Sequence, residues 1–204
     1  MLRPIRRVVL GADVDGYSII LSDDAASNAM ESPFLPGSGV TAIWTANQAP
    51  ASNRDEDLPF PITGFPKHGS GGAALMFIHV PPESSLDRLT PEARAAATTP
   101  VARTFPEAME IDISKSHQMH ATDTLDYVVV LEGEITVLVD RGEVTLKRFD
   151  TLIQRGVNHG WVNRGSAPAL VMSTVIDAVP LERKRKPVNR VVHAPAPSPT
   201  RRRS

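Results

Sequence analysis

The chain has 204 residues, 41% hydrophobic and 22% charged, which suffices for one packed domain and excludes wholesale disorder. It contains no cysteine, so disulfides, thiolate metal ligands and a cysteine nucleophile are excluded. The formal net charge of -1 averages two unlike parts: residues 181–204 carry eight of the 22 basic side chains and one of the 23 acidic ones, and the remaining body is acidic, with a net charge of -8, which speaks against a nucleic-acid partner.

Proline punctuates the chain order. Of 18 prolines, eleven lie between Pro33 and Pro106 and five between Pro180 and Pro199, whereas residues 107–179 contain only Pro168. Proline cannot donate to a strand ladder, so 107–180 is where a regular sheet can run without interruption. Residues 1–106 read as a strand-rich, proline-rich N-terminal extension packing on that sheet, with candidate strands at 7–10, 17–21, 40–45 and 74–80. A short helix is predicted at 91–97, where Thr90 suits the cap, Pro91 the first position and Glu92 the first turn.

Further strands are predicted at 108–113, 126–131, 134–139, 143–146, 151–154 and 169–176, with Asp140-Arg141-Gly142 as a hairpin turn. No helical period competes over ten or more residues, so the fold class is all-β, a barrel or sandwich. Residues 181–204 mix basic side chains with prolines and are expected to form a disordered basic tail, whose Arg183–Lys186 run resembles a nuclear-localisation or polyanion patch. No apolar run approaches ~20 residues, and no secretory leader pattern opens the chain, so a cytoplasmic protein with no membrane partner is expected. The N-terminal strands are expected to extend the barrel's sheets or to pair across a two-fold axis; strand edges must be covered, and a homodimer is the expected solution.

Two segments carry the chemistry. The first runs His120-Ala-Thr122-Asp-Thr124-Leu-Asp126-Tyr127 to Gly133; the second runs Phe149-Asp150 through Gln154-Arg155-Gly156 to His159, Trp161 and Asn163. With side chains alternating along an extended chain, His120, Thr122, Thr124 and Asp126 share one face, and Tyr127 points the other way. His117 has the wrong parity to join them without a bulge. Asn163 suits a turn held by backbone hydrogen bonds. His68 and His79 receive no role.

In spacing, these segments resemble the two motifs of the cupin superfamily: His-x-His, three or four residues, Glu, six residues, Gly, and then Pro-x-Gly, two residues, His, three residues, Asn. The resemblance covers about 107–176. The Arg-Arg-Val-Val near the start and the His-x-Thr-x-Thr-x-Asp-Tyr pattern are similar to small cupin-domain proteins described as oxidoreductases of polyketide-type pathways.

The resemblance implies an RmlC-like jelly-roll β-barrel with an N-terminal strand extension, and a metal held by two histidines and a glutamate of the first motif and one histidine of the second. Here Thr122 replaces the second histidine and Asp126 the glutamate. What remains is His120, Asp126 and His159, a two-histidine, one-carboxylate set suited to a divalent ion such as Fe, Mn, Ni or Zn. Gln154 stands at the family's Pro, and Phe149 at its usual Gly, where a positive φ would strain it.

The expected function is a small-molecule enzyme with His120, His159 and Asp126 as catalytic residues and Thr122, Thr124, Gln154 and Trp161 lining the substrate. One version is a metal-dependent oxidoreductase of secondary or aromatic metabolism. Another is a metal-free lyase, isomerase or dehydratase that uses the two histidines as acid and base, with Asp126 orienting one of them. The third is a non-catalytic ligand-binding module.

Overall fold

The computed structural model describes residues 1–54, 65–97, 109–111 and 118–181. Thirteen strands appear among them: β1 (Arg6–Ala12), β2 (Ser18–Ala25), β3 (Ala29–Glu31), β4 (Gly39–Ala46), β5 (Ala73–Val80), β6 (Met109–Ile111), β7 (His120–Thr122), β8 (Thr124–Glu132), β9 (Glu134–Val139), β10 (Gly142–Lys147), β11 (Thr151–Arg155), β12 (His159–Val162) and β13 (Ala169–Asp177). A 3₁₀ turn at Glu83–Arg88 and the predicted helix α1 (Pro91–Ala97) follow β5. Thr90 Oγ1 accepts from Ala93 N at 3.2 Å, as the capping signal required. The basic tail beyond 181 and His117 lie outside the described residues.

All strand pairs are antiparallel. A five-stranded sheet runs β10-β9-β12-β7-β6, and a six-stranded sheet runs β11-β8-β13-β5-β4-β3. The core joins them: Val128, Val130, Val171, Val80 and Ala169 of the larger sheet pack with Ile135, Val137 and Leu146 of the smaller. This is an all-β architecture of two facing sheets. Alternation explains which side chains enter. On β8, Thr124, Asp126, Val128 and Val130 are buried while Tyr127 points outward, 44% exposed. Among the described residues no helix is long and apolar enough to cross a membrane.

Strands of the 1–106 segment extend the larger sheet. β5 pairs with β13 over eight residues, and β4 and β3 continue the same sheet. The proline-rich loops interrupt the chain between these strands without interrupting their pairing. Only β1 and β2 stand apart, as a two-stranded ribbon that leaves Val8, Leu10, Ile19 and Ile20 exposed. The sequence did not separate β3, β7 and β12 from loop, because three- and four-residue strands offer too few positions for an alternation to register.

Two turns show the local logic. Gly142 pairs with Val139, leaving Asp140 and Arg141 as a two-residue hairpin loop. Gly133 joins β8 to β9 at φ 70, and a Cβ there would lie 3.0 Å from the Ala169 Cα and the Pro168 carbonyl oxygen. Phe149 is the one non-glycine residue with positive φ, 72, among those described. Its ring is 67% exposed, with the Arg148 guanidinium 4.5 Å from its centre. A left-handed conformation costs a non-glycine residue about 1–2 kcal/mol. Phe149→Gly is therefore expected to raise stability by about 0.5–1 kcal/mol, after the extra chain entropy of glycine is set against the relief. A urea midpoint equal to or below the parent's would contradict this.

Candidate functional site

The chain crosses from the smaller to the larger sheet at Asp123, and inward orientation persists through the crossing: Thr122, Thr124 and Asp126 are all buried. β12 meets β7 with His159 directly opposite His120. Adjacent antiparallel partners hold their side chains on one face, and the two imidazole rings stand 4.5 Å apart, tilted by 55°.

Both rings are fixed in the same way. His120 Nδ1 lies 2.8 Å from the Gln118 carbonyl oxygen, and His159 Nδ1 lies 2.8 Å from the Val157 carbonyl oxygen. A carbonyl only accepts, so each Nδ1 carries the hydrogen. In the neutral ring Nε2 is then the acceptor. Burial, reinforced by the neighbouring His159, pushes the His120 imidazole down to about 4, against the opposing pull of the Gln118 carbonyl and Asp126. His120 is therefore neutral at physiological pH.

Asp126 sits on the inner face of β8, 6% exposed. Its Oδ2 accepts from Gln154 Nε2 at 3.0 Å, while Gln154 Oε1 accepts from Trp161 Nε1 at 2.8 Å. The indole can only donate, which fixes the orientation of the Gln154 amide. Asp126 Oδ1 is buried without a hydrogen-bond partner among the described residues. Burial pushes the Asp126 carboxyl up, and Thr124, Gln154 and the His120 charge hold it back. The Thr122 and Thr124 hydroxyls lie 2.6 Å apart, in hydrogen-bond contact.

Most of these residues line a cavity of about 320 Å³. His120, His159, Asp126, Thr122, Gln154 and Trp161 all line it; Thr124 is off the described wall. Gln154 and Trp161 thus reach the expected place, but their polar atoms are engaged with Asp126 and with each other. The rest of the wall was missed: Met30, Leu35, Val40, Ile78 and Leu86 come from the N-terminal half. Nothing local in the sequence tells which enclosed space these side chains face.

His79 is also more buried than expected, at 8%, with Nε2 unpartnered among the described residues. It aligns across strands with Gly39 and Leu170, on the sheet face opposite Ile78 and Val80. His68 is a surface residue, 3.4 Å from Asp177.

As metal donors, the two histidines have suitable chemistry: pinned Nδ1 hydrogens leave Nε2 lone pairs on neighbouring strands. Asp126 Oδ1 is a buried acceptor on the same cavity. Among the described residues, however, no group of three or more His, Asp or Glu is disposed to hold a metal ion. The described side chains build a pair of donors and a separate carboxyl held by Gln154, rather than a three-ligand centre.

The family described as Cupin domain matches residues 109–175, which include both histidine segments. Over 66 residues the chain is 46% identical to phomopsin biosynthesis cluster protein C' of Diaporthe leptostromiformis, covering 31% of this chain and 35% of that protein. Over 67 residues it is 36% identical to the cupin-domain-containing oxidoreductase virC of Hypocrea virens, covering 31% and 34%. The match spans about a third of the length of each of these relatives. The solved cupin domain of Schizosaccharomyces pombe Cnp3 is similar at 11% identity with a TM-score of 0.42, covering 84% of this chain and 87% of that one. The matched family model and the paired histidine segments agree that residues 109–175 of this chain carry a cupin domain.

Proposed function

We propose that this protein is an enzyme of secondary metabolism that acts on a small molecule enclosed in the cavity, with His120, His159 and Asp126 as its reacting groups. The observation that carries the reading is the pair of in-register imidazoles, 4.5 Å apart, sharing a cavity with a buried carboxyl. The relatives named for biosynthesis clusters support the metabolic setting.

The geometry favours acid–base chemistry. A neutral imidazole takes a proton from the substrate and becomes an imidazolium, stabilised by the Asp126 charge. The second ring stands so close that protonating both is penalised. The site therefore holds one transferable proton, which is returned to the substrate or to its leaving group. That balance suits isomerisation or dehydration, in which no net proton is gained. Gln154 and Trp161 keep the carboxyl in place.

A metal-dependent oxidoreductase is the second reading, favoured by the two pinned imidazole donors and by the name of the Hypocrea virens relative. A bound Fe, Mn, Ni or Zn would supply Lewis-acid or redox chemistry at His120 and His159. The described residues do not complete its ligand set, and no step is derived through it.

Disruption of the gene in its host is expected to make a precursor accumulate. The parent gene should clear that precursor, and His120→Ala or His159→Ala should not. Clearance by both variants would refute the site. Elemental analysis of the purified chain separates the two readings, because a near-stoichiometric ion lost in His120→Ala would select the second.

A further inference from the structure

Several donors around Asp126 are already engaged. The Gln154 amide nitrogen donates to Asp126 Oδ2, the Trp161 N–H to Gln154, both histidine Nδ1 hydrogens to backbone carbonyls, and the Thr122 and Thr124 hydroxyls bond each other. The Asp126 Oδ1 acceptor, more than nine-tenths buried, lacks a donor among the described residues. An unmet buried acceptor is costly, and a ligand that supplies its hydrogen removes that cost.

The apolar part of the cavity wall comes largely from the N-terminal half, which also contributes Glu31, Ser32, Ser38 and Glu83. Leu35, 8% exposed, lies on a loop that would ordinarily face water. The loop is pinned: Ser32 N donates to the Ser38 carbonyl at 2.8 Å, Ser38 N to the Leu35 carbonyl at 3.0 Å, and Gly37 N to Glu31 Oε1 at 2.8 Å. Leu86, 4% exposed, sits on the 3₁₀ turn, which Glu83 N ties to the Asn163 carbonyl at 2.7 Å. Both leucines line the cavity and stand outside the central core cluster. The cavity volume is near the lower end of the about 300–1,000 Å³ usual for small-ligand pockets.

We propose that the ligand is an uncharged amphiphile whose hydrogen-bond-donating head, a phenolic, enolic or alcoholic O–H, is read by Asp126 and His120. Its apolar body is measured by Leu35 and Leu86. The proposal rests on the site reading above and adds to it the substrate class and the residues that set specificity. A carboxylate head is disfavoured, because it would meet acceptors and bring a charge out of water without a donor. The division also follows the chain: the reacting groups lie within 109–175, the segment that the cupin family model matches, and the selecting leucines lie outside it.

The test is calorimetric titration of the full chain at neutral pH with phenol, 4-pentylphenol and 4-pentylbenzoate. 4-Pentylphenol is expected to bind tighter than phenol by about threefold per buried methylene, and at least about tenfold tighter than the benzoate. Asp126→Asn should erase most of the preference for phenol over benzoate. Leu35→Trp should abolish the gain from the pentyl chain, read as the ratio of 4-pentylphenol to phenol affinity. If that variant does not fold, Leu35→Ala serves, and should reduce the gain from the pentyl chain.

Benzoate binding as well as or better than the phenol overturns the head assignment, as does the absence of binding by either phenol. A chain-length dependence indifferent to Leu35 and Leu86 substitutions overturns the specificity assignment. Both outcomes leave the site reading standing if His120→Ala fails to clear the precursor. Probe binding that ignores both Asp126→Asn and His120→Gln, with the precursor cleared, would take the site reading down as well.

Discussion

Lowering the pH from 6.5 to 5 is expected to destabilise the protein by about 2 kcal/mol through His120 alone. The folded imidazole is pushed down to about 4 from an ordinary 6.5, so between those values the unfolded chain binds the proton and the folded chain does not. Stability is then fully present above about 6.5, falls as the pH drops towards 4, and loses about 3 kcal/mol in all. Buried His79, also held low, adds to the loss in the same direction. Asp126 acts oppositely: its carboxyl is raised by burial, so over its own window the folded state is the better proton binder and acid favours folding. Urea unfolding at pH 7, 6 and 5 checks this. His120→Gln should flatten most of the slope, and Asp126→Asn should steepen it. An unchanged slope in His120→Gln would show that the ring is not desolvated as described.

Asn163→Ala is expected to lower stability by about 3 kcal/mol. The side chain is 1% exposed and makes three bonds: Nδ2 donates to the Val80 carbonyl at 2.9 Å and the Ala167 carbonyl at 2.8 Å, and Oδ1 accepts from Gly165 N at 2.9 Å. It thereby ties the end of β5 to the turn between β12 and β13. Alanine would leave three backbone groups without these partners in a place water reaches poorly, and each is worth about 1 kcal/mol. Asn163→Asp tests the donors separately, since a carboxylate would face two carbonyl oxygens, and it should be at least as damaging. The measurement is the urea midpoint at constant m-value. A loss below about 1 kcal/mol would mean that the turn finds other partners.

The spacing of His120, Asp126, Gly133, Gly156, His159 and Asn163 made the two segments legible as a pair, and strand parity sorted Asp126 inward and Tyr127 outward. The expected turn role of Asn163 and the strain at Phe149 are both seen in the structure. Gln154 and Trp161 were legible as neighbours of the site but not as a pair bonded to each other, because that bond joins side chains on strands from two different sheets. The closeness of Asp126 to the two histidines was beyond reach for a related reason: parity says that Asp126 and His120 face inward, not how close their atoms come.

By itself the sequence determined the all-β class, the two histidine segments and the absence of thiolate chemistry, since alternation, turn residues and composition are local properties. Only the tertiary structure decided that His159 lies directly opposite His120, which strands of 1–106 join the larger sheet, and that Leu35 and Leu86 wall the cavity. The reason is physical: alternation says which face a side chain takes, but strand partners and their register are set by non-local pairing, which cooperative packing of the whole core selects.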